Sequence, residues 1–240
     1  MVSRSERAAF VARKLFSLSG LVPVGAFVVL HVWTYAQALG GRGALEAATG
    51  KPASLGLVVE VFLIWVPLMY HAAYGLKVTA GGRPNLVSYP YPRNWSYFLG
   101  RLTGIVSLVF IVYHVSEYRL PLATGALLQD DIFPRLCASL SSTSAAGVPF
   151  VALMYLVGVA ATSYHLAQGL SGFCFSWGVT VTRRAQRLAS AFAGIVGLAV
   201  FWLGASTVLY FATGARLAFP AYGGESGPPP LHCADVREER

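Results

Sequence analysis

The sequence predicts an all-α membrane protein with five transmembrane helices, and three observations lead to this fold class. Only 12% of the 240 residues are charged, whereas soluble proteins carry about 25% charged residues. Apolar residues make up 55% of the chain, and its mean hydropathy is +0.59. Five apolar runs are each close to the roughly 20 residues with which a helix crosses a bilayer. The composition excludes disordered, collagen-like and small secreted proteins.

The predicted spans cover about residues 15–39, 57–80, 97–120, 148–173 and 188–213. The first run is uncharged from Leu15 to Gly41. It is longer than the apolar core of a signal peptide, about 7–15 residues, so we expect it to be retained. The five spans make one domain, residues 1–215. Residues 216–240 are rich in Pro and Gly and are expected to form a disordered tail.

The distribution of Lys and Arg predicts the orientation. If successive loops alternate between the two sides, one side carries eleven cations and one acid, and the other carries seven cations and nine acids. Cytoplasmic loops are the ones enriched in Lys and Arg. We therefore expect the N-terminus in the cytoplasm and the tail outside. The net charge of +8 then reflects topology and not nucleic-acid binding.

The three cysteines, Cys137, Cys174 and Cys233, show no CxxC spacing. This pattern gives poor support to a metal cluster and equally poor support to a disulfide framework. Other residue types must therefore carry the function.

Four of the five histidines, His31, His71, His114 and His165, fall one in each of the first four spans. Ionisable residues inside a span are costly and indicate function by default. A single histidine could simply be neutral and hydrogen-bonded to a neighbouring hydroxyl or carbonyl. One histidine in each of four helices is harder to explain in that way.

The depth of these histidines predicts two pairs. His31 lies 16 residues after Leu15, about 24 Å along a helix, and therefore toward the outside. His114 is at a similar height in the parallel third span, whereas His71 and His165 lie toward the inside in the two descending spans. Two facing imidazoles are what a six-coordinate haem iron requires. The pairs His31–His114 and His71–His165 therefore predict a dihaem four-helix bundle, to which the fifth helix is added.

Glycines and charges near these heights are secondary candidates. Gly20, Gly104 and Gly158 would let a haem approach the backbone, although packing between helices explains any one of them as well. Glu60 and Glu117, near the outer ends of their spans, are candidate catalytic residues that exchange protons with a quinone, or carboxylates that only reach toward water. On the inner side the cations that could neutralise haem propionates or contact a docking subunit are Lys77, Arg93 and Arg101.

Several stretches resemble a known family, the five-helix dihaem cytochrome b subunits of succinate dehydrogenases, the type found in Bacillus and related to fumarate reductase anchors. The matching stretches are RKLFSLSGLVPVGAFVVLH (13–31), VEVFLIWVPLMYHAAYG (59–75), RNWSYFLGRLTGI (93–105), YHVSEYRL (113–120), YHLAQGL (164–170) and SWGVTVTRRAQR (176–187). The chain departs from the family at Phe16, where relatives often have histidine, and at Tyr113, where Trp commonly precedes the third ligand. The tail has no counterpart in the family pattern.

The resemblance implies two haems b, one held by His71 and His165 and the other by His31 and His114. It also implies a membrane anchor of respiratory complex II in a bacterial inner membrane, which binds a flavoprotein subunit and an iron-sulphur subunit on its cytoplasmic side. FAD and iron-sulphur clusters would belong to those partners only. Electrons would pass through the two haems to a membrane quinone, menaquinone or ubiquinone, near the outer haem. Docking is expected on the loops around residues 83–94 and 176–187.

Two other functions fit the same histidines. One is a dihaem cytochrome b of a formate or hydrogen dehydrogenase, which a succinate-dependent haem reduction would exclude. The other is a proton-coupled transporter that uses the histidines as a relay without a cofactor, which b-type absorption bands would exclude.

Overall fold

The computed structural model describes residues 3–50, 57–83, 85–215, 217 and 233. Within these residues the chain is helical and contains no β-strand. Five helices are long and apolar enough to cross a membrane: α1 (Arg4–Gly40), α3 (Val58–Ala80), α4 (Pro92–Thr124), α6 (Phe150–Ser176) and α7 (Arg183–Thr213). Two shorter helices, α2 (Arg42–Thr49) and α5 (Ile132–Leu140), lie between spans. The predicted all-α membrane class with five spans is confirmed.

The helices extend past the apolar runs that predict them. Helix α1 begins at Arg4 and α7 at Arg183, each several residues before the apolar run. At the start of α1, Ser3 and Glu6 form a capping box, in which each side chain bonds the other's backbone N–H. The apolar run measures the part of a helix that hydrocarbon surrounds, so charged ends that reach water are missed by it.

Three segments of the spanning helices are π-helical, and each is associated with a proline. They are Gly20–Gly25 in α1, Val61–Trp65 in α3 and Val115–Arg119 in α4. Pro23 lies inside the first, while Pro67 and Pro121 follow the other two within two residues. Proline has no N–H, so a carbonyl one turn earlier loses its normal donor, and the backbone rearranges locally into a wider turn.

The chain folds as two compact units. Unit 1 consists of Met1–Val29, Ser54–Leu108 and Ala161–Leu198, and it contains His71 and His165. Unit 2 consists of Leu30–Ala53, Val109–Ala160 and Ala199–Arg240, and it contains His31 and His114. Each pair of histidines that the sequence predicts therefore lies within one unit.

The buried core of unit 2 is built largely by the short helices and the end of α7. One face of α5 is buried through residues one turn apart, which include Ile132, Leu136 and Leu140. Phe133 of this helix packs against Phe211 of α7 with ring centroids 5.1 Å apart. A stretch outside the five predicted spans is thus an amphipathic helix that packs into the core of the unit.

The cysteine spacing gives poor support to a disulfide, yet the structure contains one. Cys137 of α5 and Cys233, 96 residues later, are disulfide-bonded, and Cys174 is free. No spacing rule reveals this pair, because tertiary packing and not local sequence brings the two residues together. Apart from Leu217 and Cys233, the predicted tail 216–240 lies outside the described residues.

Candidate functional site

The first candidate site is the histidine pair of unit 1. His71 lies on α3 and His165 on α6, and their ring centroids are 6.0 Å apart at an interplanar angle of 77°. Both side chains are half-buried. The two helices therefore present one imidazole each to the same space, which is the arrangement that the depth argument predicts.

Each imidazole of this pair is oriented by a backbone carbonyl of another helix, which is α1 for His71 and α4 for His165. Nδ1 of His71 lies 3.0 Å from the carbonyl oxygen of Phe16, and Nδ1 of His165 lies 2.9 Å from that of Gly100. A carbonyl oxygen can only accept, so Nδ1 must carry the proton in both rings. Nε2 then keeps its lone pair, as a metal-binding imidazole requires.

A glycine lies four residues after each of these carbonyls and makes room for the ring. A Cβ at Gly20 would overlap the imidazole of His71, whose Nε2 would be only 3.0 Å away. A Cβ at Gly104 would lie 2.9 Å from Cε1 of His165. These two glycines are therefore required by the close approach of the histidines, and not only by packing between helices.

Phe16 contributes its ring as well as its carbonyl. The ring is stacked on His71 with centroids 4.5 Å apart and planes 11° apart. Tyr74, on the same helix as His71, also packs against Phe16, with ring centroids 5.1 Å apart. The position at which this chain departs from the family pattern thus supports the imidazole directly.

The second candidate site is the histidine pair of unit 2. The rings of His31 and His114 are 5.6 Å apart at 86°. Three tyrosines surround them: Tyr35 lies 4.7 Å from His31, and Tyr118 and Tyr155 lie 5.4 and 5.8 Å from His114. The hydroxyl of Tyr155 is 3.1 Å from Nδ1 of His114. A side chain here takes the place that a backbone carbonyl takes in the first pair.

The geometry of both pairs fits a six-coordinate haem iron. Metal–imidazole bonds are about 2 Å long, so an iron bound by two imidazoles would hold their ring centroids about 6 Å apart. The measured separations are 6.0 and 5.6 Å. Among the described residues no three His, Cys, Asp or Glu side chains converge on one point. Such a cluster is not needed where a macrocycle supplies the other four ligands.

The two candidate carboxylates have different surroundings. Glu60, half-buried on the second span, accepts a hydrogen bond of 3.0 Å from the indole N–H of Trp65. Glu117 forms an ion pair of 3.0 Å with Arg135 of α5. Glu117 therefore connects α4 to the short helix α5 within unit 2. That Glu60 lies at the height of the second histidine pair stays a prediction.

The three candidate cations also differ. Lys77 is exposed in the last turn of α3, and Arg93 is exposed with its guanidinium 5.3 Å from the centre of the Phe175 ring. Arg101 is half-buried next to Gly100, whose carbonyl holds His165. It donates to the hydroxyl of Tyr97, yet its buried Nε has no hydrogen-bond partner in the described part of the chain. This buried N–H, close in sequence to the carbonyl that holds His165, could donate to a haem propionate.

Sequence reasoning missed Tyr155 and the two carbonyls. A tyrosine in an apolar helix looks like packing, and no residue type marks a helix carbonyl that accepts an additional hydrogen bond from a neighbouring helix. The glycine four residues beyond the carbonyl is the one signal that could have located it.

Comparison with known proteins supports the same interpretation. The succinate dehydrogenase cytochrome b558 subunit of Bacillus subtilis (strain 168) is 35% identical over 204 residues, which cover 84% of this chain and 96% of that protein. No protein-family model matches the chain. No solved structure matches it either. With this identity over nearly the whole length of the relative, the resemblance is confirmed, and the chain belongs to the family of succinate dehydrogenase cytochrome b subunits.

Proposed function

We propose that this chain anchors a succinate dehydrogenase in a bacterial inner membrane and holds two b haems, one between His71 and His165 and one between His31 and His114. Two features of each pair carry the proposal. At least one Nδ1 is hydrogen-bonded, and the ring centroids lie 6.0 Å apart in one pair and 5.6 Å apart in the other, about the separation that a shared iron would give. When bound, the haems supply one-electron carriers between a partner subunit and a quinone.

The chain's own residues orient the ligands and exclude water. The carbonyls of Phe16 and Gly100 select the tautomer in which Nδ1 carries the proton and Nε2 keeps its lone pair. The hydroxyl of Tyr155, which can donate or accept, holds the imidazole of His114 in its orientation. Arg101, with its unsatisfied Nε, is the residue best placed to bind a propionate near His165. The apolar spans around both sites keep the local dielectric low.

The partner subunits would dock on the loops that the sequence predicts to be cytoplasmic. Tyr91, just before α4, and Trp95, in its first turn, are exposed, and the loop after α6 exposes Trp177 and Val181. Interfaces between proteins are enriched in aromatic residues and arginine. We call the surface formed by residues 85–95 and 175–187 the docking surface.

Cations hold the aromatic side chains of the docking surface in place. Lys14 donates to the carbonyl of Ser176 and lies 4.9 Å from the centre of the Trp177 ring. Arg93 lies over Phe175 in the same way. These cation–π contacts order the loop after α6 before a partner binds, which lowers the entropy cost of docking.

Glu60 is the first candidate for proton exchange with the quinone, because its carboxylate lies within a span and is not part of the cation-rich ends. Glu60→Gln should slow quinone turnover and leave the absorption bands of both haems intact. Glu117→Gln is the matched control, since Glu117 is already paired with Arg135. Equal turnover in wild type and Glu60→Gln would remove Glu60 from the site.

The proposal as a whole is tested by the reduced-minus-oxidised spectrum of the purified complex during titration with succinate. We expect b-type bands that succinate reduces, together with co-purified flavoprotein and iron-sulphur subunits. If formate or hydrogen reduces the haems and succinate does not, the chain belongs to a different dehydrogenase. A spectrum without b-type bands would leave only the relay function that the sequence also allows.

A further inference from the structure

The last described residue of the chain is buried in the core of unit 2. Cys233 is 3% exposed and its partner Cys137 is 4% exposed. Their Cα atoms are 5.2 Å apart, within the range of about 4.4–6.8 Å in which cysteines can be bridged. The bond joins the segment after α7 to α5, across 96 residues of sequence.

Cys233 packs against buried residues of unit 2 besides its disulfide partner. Its sulfur lies 3.6 Å from the carbonyl oxygen of Phe211. The same buried cluster contains Phe133 and Tyr210, and it continues to Tyr118 and Tyr155 beside the second histidine pair. The residues that surround His114 and the disulfide therefore share one core.

The two cysteines emerge on the same side of the membrane. Cys137 precedes α6 and Cys233 follows α7, so two spans separate them. An even number of crossings returns the chain to the side from which it started, whichever side that is. Disulfides persist in oxidising compartments and are rare in the cytosol. The side that carries this bond is therefore the extracytoplasmic one, which is also the side poor in Lys and Arg.

We propose that the disulfide between Cys137 and Cys233 lies on the extracytoplasmic face, where it fastens Cys233 to the unit that contains His31 and His114. Its formation removes two protons and two electrons from the thiols. An extracytoplasmic protein disulfide accepts them by thiol–disulfide exchange and leaves as a dithiol. This inference rests on packing and topology, and it does not depend on haem binding or quinone chemistry.

The third cysteine provides a control within the same chain. Cys174 is half-buried near the end of α6, one span away from Cys137, and is a free thiol. It lies close to the docking surface, where the sequence predicts the cytoplasm. The proposal therefore assigns two oxidised cysteines to one side and one reduced cysteine to the other.

The bond is tested by counting thiols on the full-length chain, which is precipitated with acid to stop thiol–disulfide exchange and then dissolved in denaturing detergent. A mass-tagged maleimide should add once without reductant and three times after reduction. Cys174→Ser should give no adduct and then two, and Cys137→Ser should give two under both conditions. Three adducts on the wild-type chain before reduction would overturn the proposal.

The side is tested in spheroplasts that express Cys174→Ser with a reporter thiol at an exposed position, because Cys137 and Cys233 are too buried for a charged reagent to reach. Leu128→Cys lies between α4 and α5, on the side of Cys137, and a charged maleimide that does not cross the membrane should label it from outside. Val181→Cys, in the loop between α6 and α7, should react only after the membrane is dissolved. The reverse pattern would show that the extracytoplasmic assignment is wrong.

Discussion

The hydroxyl oxygen of Tyr155 lies 3.1 Å from Nδ1 of His114, where the other histidine pair has only backbone carbonyls at Nδ1. If Nε2 of His114 binds iron, Nδ1 carries the proton and donates a hydrogen bond to this hydroxyl. A hydroxyl is a weaker acceptor than a helix carbonyl and can be deleted by mutation. Tyr155 is therefore a positioning residue for the second pair, with no side-chain equivalent in the first.

We expect Tyr155→Phe to raise the reduction potential of the haem held by His31 and His114. Without the acceptor the imidazole donates less charge to iron, which favours the reduced state. A net hydrogen bond of about 0.5–1.5 kcal/mol corresponds to about 20–65 mV for one electron. Redox titration of the b-type absorbance measures the shift. Tyr164→Phe is the control, because that hydroxyl accepts from Gln168, whereas Nδ1 of the adjacent His165 is bonded to the Gly100 carbonyl. An equal shift in both variants would argue against the role of Tyr155.

Gly104→Ala should abolish haem binding at the His71–His165 pair and spare the other site. The added Cβ would lie 2.9 Å from Cε1 of His165 and would displace the ring from the Gly100 carbonyl. Gly169→Ala in α6 is the matched control, since nothing lies within 4 Å of a Cβ there. The readout is the haem content of the purified chain. Two haems in Gly104→Ala would contradict the close approach that the structure shows.

Arg101 and Arg93 should separate propionate binding from docking. Arg101→Gln removes a half-buried cation beside the Gly100–His165 contact, so the potential of that haem should fall, by about 59 mV for each 1.4 kcal/mol of lost charge stabilisation. Arg93→Gln should leave the potential unchanged and reduce co-purification of the partner subunits, because Arg93 is exposed over Phe175. The reverse pattern would exchange the two roles.

Loss of the disulfide should weaken unit 2 selectively. Cys137→Ser and Cys233→Ser each open the same bond, so their effects should be equal and should not add in the double variant. We expect the second haem to be lost at a lower temperature, as followed by its absorbance on heating. Cys174→Ser, which breaks no bond, should behave as wild type. Additive effects would mean that each cysteine acts through packing alone.

The spans and the grouping of the histidines follow from one-dimensional properties of the sequence. Apolar runs set where helices cross the bilayer, and a fixed rise per residue turns sequence position into depth. His31 and His114 lie at one depth because both are 16–17 residues into parallel spans. The rings of each predicted pair do come together in the structure.

The contacts around those rings depend on three-dimensional packing, which periodicity does not contain. The carbonyls of Phe16 and Gly100 are available only because neighbouring helices approach where glycine follows one turn later. Helix α5 is too short and too mixed in composition to register as a span, yet it buries Cys137 against Cys233. A pair 96 residues apart leaves no local pattern to detect.

The most direct test of the central claim is a redox titration of the b-type absorbance in wild type and in single histidine variants of the complex. The wild-type chain should contain two haems with separate components. Replacing His71 or His165 should remove one and the same component, and replacing His31 or His114 should remove the other. Loss of different components in the His71 and His165 variants, or a single haem in the wild type, would contradict the two-pair account.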